Sequence, residues 1–309
     1  MSKKKFVVVT GVSTGIGYAV AEALTARGFH VFGGVRGLAD SERLQARFGA
    51  ARFTPLLFDV TDARAVAEAA RETERRLEGA TLAGLVNNAG AAFPGPLLYQ
   101  PIEEFRRQIE VNLIGQLAVT QAFAPLLGAG AEERHGAPGR IVNMSSVAGS
   151  LASPFLGAYA ASKHALEGLS DALRRELMIF GVDVVVIEPG VIATPIWDKA
   201  EHADFGRYDS TVYGPAARRL QKWAVEKGRL GPPPERVAAA VLCALTEPRP
   251  PARIRIVPNY LLDWLLPRLL PARLVDRIAA KRMGLLPPAE AFHPPLQGEG
   301  RPAKPDGVG

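Results

Sequence analysis

The first 190 residues of this chain switch repeatedly between two hydrophobic periods, and that alternation restricts the fold more than any single motif does. Short β-branched or apolar runs at Phe6–Thr10, His30–Gly34, Phe53–Phe58, Leu82–Asn87, Arg140–Met144 and Val182–Ile187 have strand length and are predicted as strands. Amphipathic stretches of helical period separate them, among them Gly17–Arg27, Asp62–Leu77, Phe105–Leu127 and Tyr159–Phe180. Strands that alternate with helices are joined by right-handed crossovers, which calls for a parallel sheet covered on both faces. The expected fold class is α/β, a doubly wound parallel sheet in one domain, with ligands at the carboxyl ends of its strands.

After Pro189-Gly190 the rhythm breaks. The stretch 194–231 is longer than an ordinary connection and carries Trp197, Tyr208, Tyr213 and Trp223, so it is expected to be a helical insertion beside a substrate. A helix from Pro232 to Leu245 and a strand at Arg253–Val257 complete a catalytic domain over 1–258. Residues 259–285 are expected to form an amphipathic basic helical extension, and the Pro- and Gly-rich stretch 286–309 a disordered tail.

Charge and cysteine content narrow the functional classes. Of the net charge of +6, the segment Ala252–Arg282 alone holds +5, from seven Lys or Arg against two Asp. A basic excess confined to one Leu- and Trp-rich segment argues against nucleic acid and for an apolar surface, either a membrane contact through 260–283, a cover over a greasy substrate, or packing on a partner subunit. Cys243 is the sole cysteine, so no intrachain disulfide forms and a reducing, cytoplasmic location is expected. Phe6–Val9 is too short an apolar run for an export signal, and no stretch suits a transmembrane helix.

Directly after the first predicted strand stands Thr10-Gly11-Val12-Ser13-Thr14-Gly15-Ile16-Gly17, a Gly-x-x-x-Gly-x-Gly loop opening a helix. Glycines permit the tight turn and let backbone N–H groups approach a pyrophosphate at the helix N-terminus. Arg36 closes the second strand where an acidic residue would hold the ribose of NAD, and it suits the 2′-phosphate of NADP, helped by the Ser13 hydroxyl. NADP(H) is therefore the preferred cofactor and NAD(H) the alternative. Further along, Tyr159 and Lys163 stand one helical turn apart, with Ser146 thirteen residues before the tyrosine. A phenol beside an ammonium can move a proton at an alcohol or ketone. His164 lies about 140° around the helix from Tyr159 and takes no part. The histidines form no short ligand motif, and no metal is expected.

These blocks, in this order, resemble the classical short-chain dehydrogenase/reductase family, whose catalytic domain has the Rossmann fold. Thr10 to Gly17 is similar to its glycine motif, Asp59-Val60 to its adenine contact, and Asn87-Asn88-Ala89-Gly90 to its fourth-strand signature. Asn112, Ser146, Tyr159 and Lys163 match its catalytic set, and Pro189-Gly190-Val191-Ile192-Ala193-Thr194 its nicotinamide-side loop. The run Tyr159 to Leu169 resembles the branch of 17β-hydroxysteroid and retinol dehydrogenases.

The resemblance implies a role for each matched residue. Tyr159 is the proton donor and acceptor, Lys163 lowers its pKa and binds the nicotinamide ribose, and Ser146 holds the substrate oxygen. Asn112 holds a water linked to Lys163, while Thr194 and the backbone at Ile192 hold the carboxamide. Asn88, Ala89 and Gly90 line the adenosine side, and Asn87 supports the sheet. The resemblance further implies a hydrophobic alcohol or ketone as substrate and a homo-dimer or homo-tetramer. The alternative class, a nucleotide-sensing scaffold without turnover, would be expected to have lost one of the four catalytic residues.

Overall fold

The computed structural model describes residues 5–130 and 134–287. Seven strands form one sheet in the order β3-β2-β1-β4-β5-β6-β7, and every neighbouring pair is parallel. They are β1 Phe6–Thr10, β2 His30–Val35, β3 Phe53–Leu57, β4 Gly84–Asn87, β5 Arg140–Met144, β6 Asp183–Pro189 and β7 Arg253–Ile256. Each predicted strand is present, two with the predicted ends and the others with ends shifted by one or two residues.

The central strands β1, β2 and β4–β6 are mainly apolar and buried on both faces, whereas the edge strand β7 alternates Arg and Ile. One face packs under α1 (Gly15–Ala26), α2 (Leu38–Phe48) and α9 (Pro234–Thr246), with Val9, Leu24, Val142 and Val241 among the fully buried side chains. Against the other face lie α3 (Ala63–Leu77) and α5 (Gly115–Phe123), through Val66, Leu77, Val119 and Phe123. Strand order reverses between β1 and β4, so the crevice at their carboxyl ends is where such a sheet takes its ligand.

Two helices differ from the sequence reading. Helix α2 was not named in it, because its apolar stripe is thin and only Leu44 is buried. The single helix expected over Phe105–Leu127 is broken into α4 (Ile102–Ile109), a π turn over Glu110–Ile114, α5, and a 3-10 turn over Ala124–Leu127. Side-chain periodicity cannot register one extra residue in a turn, yet such widened turns frequently mark functional positions. This one carries the fully buried Asn112.

Helix α6 (Gly157–Glu176) brings Tyr159 and Lys163 to the end of β5. The insertion after β6 folds into α7 (Ile196–Glu201) and α8 (Gly214–Arg229). Beyond β7, a π turn over Leu261–Leu265 leads into α10 (Leu266–Leu269), followed by α11 (Ala272–Met283). No described helix is long and apolar enough to cross a membrane. The tail predicted to be disordered lies outside the described residues from 288 onward.

Candidate active site

The glycine loop after β1 is held from the neighbouring strand. Thr10 Oγ1 accepts from the backbone N–H groups of Asn88 and Ala89, both at 2.9 Å. Asn88 Nδ2 donates to the carbonyls of Thr10 (2.9 Å) and Gly11 (3.1 Å). The side chain expected beside an adenosine is thus committed to bracing the loop. Gly17 admits no substituent, since a Cβ there would stand 2.1 Å from the Gly11 carbonyl oxygen and 2.5 Å from Asn88 Nδ2. Gly11 and Gly15 have φ of +70° and +60°, a region that strains any L side chain.

Helix α1 starts at Gly15, and its N-cap Thr14 makes no side-chain capping bond. The first-turn N–H groups are therefore left for an anion, which is the donor set a pyrophosphate requires. Across the loop, Thr194 comes within 3.5 Å of where a Gly15 Cβ would stand, so the segment after β6 forms the opposite wall. That segment is fixed by Gly190 N–H to the Ile256 carbonyl (2.8 Å) and Ala193 N–H to the Pro232 carbonyl (2.9 Å). Its buried Ile192 offers its carbonyl to Trp197 Nε1 at 2.7 Å. The loop and its facing wall fit a dinucleotide.

At the adenosine end, Arg36 leaves β2 with a 77 % exposed side chain, 3.9 Å from Asp59 Oδ2. Asp59 accepts from Thr61 N–H (2.9 Å) and Thr61 Oγ1 (2.8 Å), and Arg107 lies 3.4 Å away. Partial burial works to raise the Asp59 carboxyl, but the Thr61 bonds with the Arg107 and Arg36 charges outweigh it and hold it below the usual range. Val60, next to it, is buried. Sequence reading missed Arg43 on α2, whose Nη2 donates to the Ser13 carbonyl at 2.8 Å. Nothing in the local pattern ties that arginine to the glycine loop; the packing of α2 does.

The four residues matched as catalytic surround the ends of β4 and β5. Ser146 follows β5, accepts from Ala148 N–H (3.1 Å), donates to the Pro189 carbonyl (3.3 Å) and interacts with the Tyr159 phenol. Its neighbour Ser145 has a buried hydroxyl without a hydrogen-bond partner, close beside Gly149. The spacing argument therefore selects the serine that faces the tyrosine. Lys163 is 4 % exposed; its Nζ donates to the Met144 carbonyl at 2.8 Å and lies 5.8 Å from the Tyr159 ring centre.

Burial pushes the Lys163 ammonium down to about 8, against the charge of Glu167, which acts to raise it. Burial raises the Tyr159 phenol, and the Ser146 hydroxyl only partly opposes this. Here the structure departs from the expectation that Lys163 depresses its neighbour's pKa. In the protein without its cofactor, desolvation governs both groups, and the ammonium is held by a backbone carbonyl rather than by the phenol.

Asn112 is also differently employed than expected. Its Nδ2 donates to the Ala91 carbonyl (2.9 Å) and to Ser162 Oγ (3.0 Å), and its Oδ1 accepts from Ala91 N–H (2.8 Å). The side chain pins the loop after β4 against α6, and a Cβ on Gly90 would sit 3.4 Å from Asn112 Oδ1 and 3.9 Å from Lys163 Nζ. Asn87 is structural as expected, donating to Thr120 Oγ1 and Asn143 Oδ1 at 2.9 Å each.

Four of the five aromatic residues in the insertion, Phe205 among them, pack against the protein. Trp197 lies on Gly228, Tyr208 is buried against Gly95 and Phe205, and Tyr213 stacks edge-on with Tyr99 and Phe155. Only Trp223 is substantially exposed. On the other flank, Arg255 of β7 makes a two-pronged pair with the buried Glu188 (2.8 and 3.0 Å) and lies 4.0 Å from the Trp264 ring. Trp264 Nε1 donates to Ser150 Oγ at 3.2 Å. The C-terminal extension is thereby tied to the loop that begins at Ser146.

Residues 5–204 match the sequence profile described as short chain dehydrogenase. An NADPH-dependent 3-dehydrocapnine reductase from Ornithobacterium rhinotracheale is 42% identical over 277 residues, covering 90% of this chain and 96% of that one. Human retinol dehydrogenase 5 is 35% identical over 292 residues, covering 88% and 87%. Among solved structures, a short-chain dehydrogenase from Streptomyces avermitilis superimposes with a TM-score of 0.70 at 26% identity, covering 92% of this chain and 98% of that chain. With the parallel sheet, the glycine cradle and the Ser146, Tyr159 and Lys163 cluster all in place, the chain belongs to the short-chain dehydrogenase family of oxidoreductases.

Proposed function

We propose that this protein uses NADP(H) to interconvert a secondary alcohol and a ketone, or a primary alcohol and an aldehyde, on a hydrophobic substrate such as a steroid, retinoid or lipid. The observation that carries this reading is the convergence of Ser146, Tyr159 and Lys163 on one side of the glycine cradle, with Thr194 on the other. NADP(H), when bound, supplies or removes the hydride. Tyr159 gives a proton to the carbonyl oxygen in reduction and takes it back in oxidation. Ser146, held in position by Ala148 N–H, stabilises the charge that grows on that oxygen.

Lys163 would contact the ribose of the bound cofactor, and Thr194 with the backbone at Ile192 would hold its carboxamide. Asn112 keeps the loop after β4 and α6 in register for proton passage toward solvent. The positive nicotinamide ring of a bound oxidised cofactor would favour the phenolate and so oppose the desolvation that raises the Tyr159 phenol in the free protein.

The preference for NADP(H) rests on Arg36, whose exposed guanidinium is free to leave Asp59 for a 2′-phosphate. The NADPH-dependent relative supports it, as it supports reduction, and the retinol dehydrogenase supports a hydrophobic alcohol. NAD(H) is the second reading, favoured by the Arg36–Asp59 contact and by a 27% identical Burkholderia phymatum structure in complex with NAD. A homo-dimer or homo-tetramer through the helices bearing Asn112 and Tyr159, in the cytoplasm, completes the reading.

Consumption of NADPH across a panel of hydrophobic ketones tests it. Tyr159→Phe should bind NADPH as the parent does and lose about a thousandfold or more in kcat. Near-normal turnover in that variant would overturn the mechanism, and loss of turnover together with NADPH binding would indicate structural damage instead.

A further inference from the structure

Residues 260–283 carry seven exposed large apolar side chains, from Tyr260 to Ile278. Leu262, Leu266 and Leu269, spaced four and three apart, are 57%, 39% and 71% exposed. Leu274 and Ile278, one turn apart on α11, are 44% and 43% exposed. Around them stand Arg268, Arg273, Arg277, Lys281 and Arg282, against only Asp263 and Asp276.

The other side of the same segment is fixed to the body. Trp264 is held by Arg255 and by its bond to Ser150, while Met283 and Leu285 pack with Phe155 and Leu220. Arg219 donates to the Met283 carbonyl at 3.0 and 3.2 Å. The leucine stripes therefore belong to anchored helices with one side committed and one side open.

We propose that this open side is a docking surface for an anionic membrane, with Leu262, Leu269, Leu274 and Ile278 in the acyl boundary and the arginines among the lipid phosphates. Helices with an apolar stripe flanked by cations lie in such an interface, and long cationic side chains reach from it to the headgroups. Charge decides for a membrane over a second copy of this chain. A symmetric pair across this face would bring five cations against five with two carboxylates on each side, whereas lipid phosphates complement all five.

Position gives the surface a use. Ser150, its anchor, is four residues beyond Ser146, and an open cleft of about 350 Å³ runs between Ser150-Leu151 and the helices, walled by Pro267, Arg268, Leu270 and Val275. If the substrate is a lipid, as the proposed function holds, docking brings this cleft, beside the loop that begins at Ser146, to the bilayer. The docking itself does not depend on that reading, because it is measured without turnover.

Co-sedimentation of the full chain with vesicles of phosphatidylcholine and phosphatidylglycerol, and with phosphatidylcholine alone, tests the inference. The parent should bind the anionic vesicles and release them as salt rises. Arg273→Gln with Arg277→Gln should weaken binding about tenfold or more, and Leu269→Ser with Ile278→Ser should abolish it. Both variants should retain NADPH turnover of a water-soluble ketone. Equal binding to both vesicle types, no binding to either, or a dimer in sedimentation velocity that the leucine variant dissolves would each overturn the proposal.

Discussion

The sheet side of the site and its C-terminal side are built by different means. Around the glycine loop and Lys163, buried polar groups are pinned by backbone and amide bonds, as in Asn88 to Gly11, Asn112 to Ala91 and Lys163 to Met144. Across the mouth, from Trp197 through α8 to α11, the contacts are aromatic edges, arginine bonds to carbonyls, solvent-facing ion pairs such as Arg218–Asp209 and Arg229–Glu201, and Arg255 and Arg268 over the Trp264 ring, and the outer surface mixes apolar and basic side chains. Groups that handle protons and phosphate must hold their geometry in a buried setting, where an unmet bond costs about 1–3 kcal/mol. Exposed contacts across the mouth carry a smaller penalty, because water replaces a lost partner. Disturbance on the first side should therefore be costly and on the second mild.

The largest effect is expected from Gly17→Ala. With a backbone oxygen 2.1 Å from the new Cβ, the loop must move, which costs about 3 kcal/mol or more. NADPH affinity, read by fluorescence titration, should fall at least about a hundredfold; unchanged affinity would mean that the loop yields freely.

Lys163 comes next. Its folded pKa of about 8 lies below the ordinary 10.5. Between these values the unfolded chain holds more protons, so stability rises with pH through that window, and the full penalty, about 3 kcal/mol, is present below pH 8. Lys163→Met removes this titration. Its stability relative to the parent should thus decline between pH 8 and pH 10, as measured by urea unfolding without cofactor, and a difference independent of pH would refute the assignment.

Arg36→Asp should shift the NADP to NAD ratio of kcat/KM by about thirtyfold, the worth of a charged hydrogen bond of about 2 kcal/mol. A constant ratio would remove Arg36 from the reading. Smallest of all, Trp264→Ala should cost about 1 kcal/mol in stability and raise KM a few-fold with kcat preserved, since it loosens only the extension. A collapse of kcat in that variant would place the second side among the rigid parts.

Much of the fold was legible because strand and helix periods are local properties, so all seven strands and the helices bearing Asn112 and Tyr159 could be marked from the chain alone. Spacing also distinguished Ser146 from Ser145, since thirteen residues set which of the two meets the phenol. The π turn at Glu110–Ile114 escaped, because an extra residue in a turn leaves no mark in the side-chain pattern. Arg43, Trp264 and Tyr208 escaped for another reason: each acts through partners 30, 114 and 113 residues away, at Ser13, Ser150 and Gly95.

What the sequence carries by itself is a set of residue types at fixed spacings: glycines directly after the first strand, a phenol and an ammonium one turn apart, and a serine thirteen residues before the phenol. What only the tertiary structure decided was the environment of those groups. Burial raises Tyr159 and lowers Lys163, carbonyls from distant strands take up the ammonium and the Ser146 hydroxyl, and a stacked tryptophan seats the extension beside the catalytic loop. Desolvation and long-range hydrogen bonds depend on what the whole chain packs around a group, and no local run of residues carries that information.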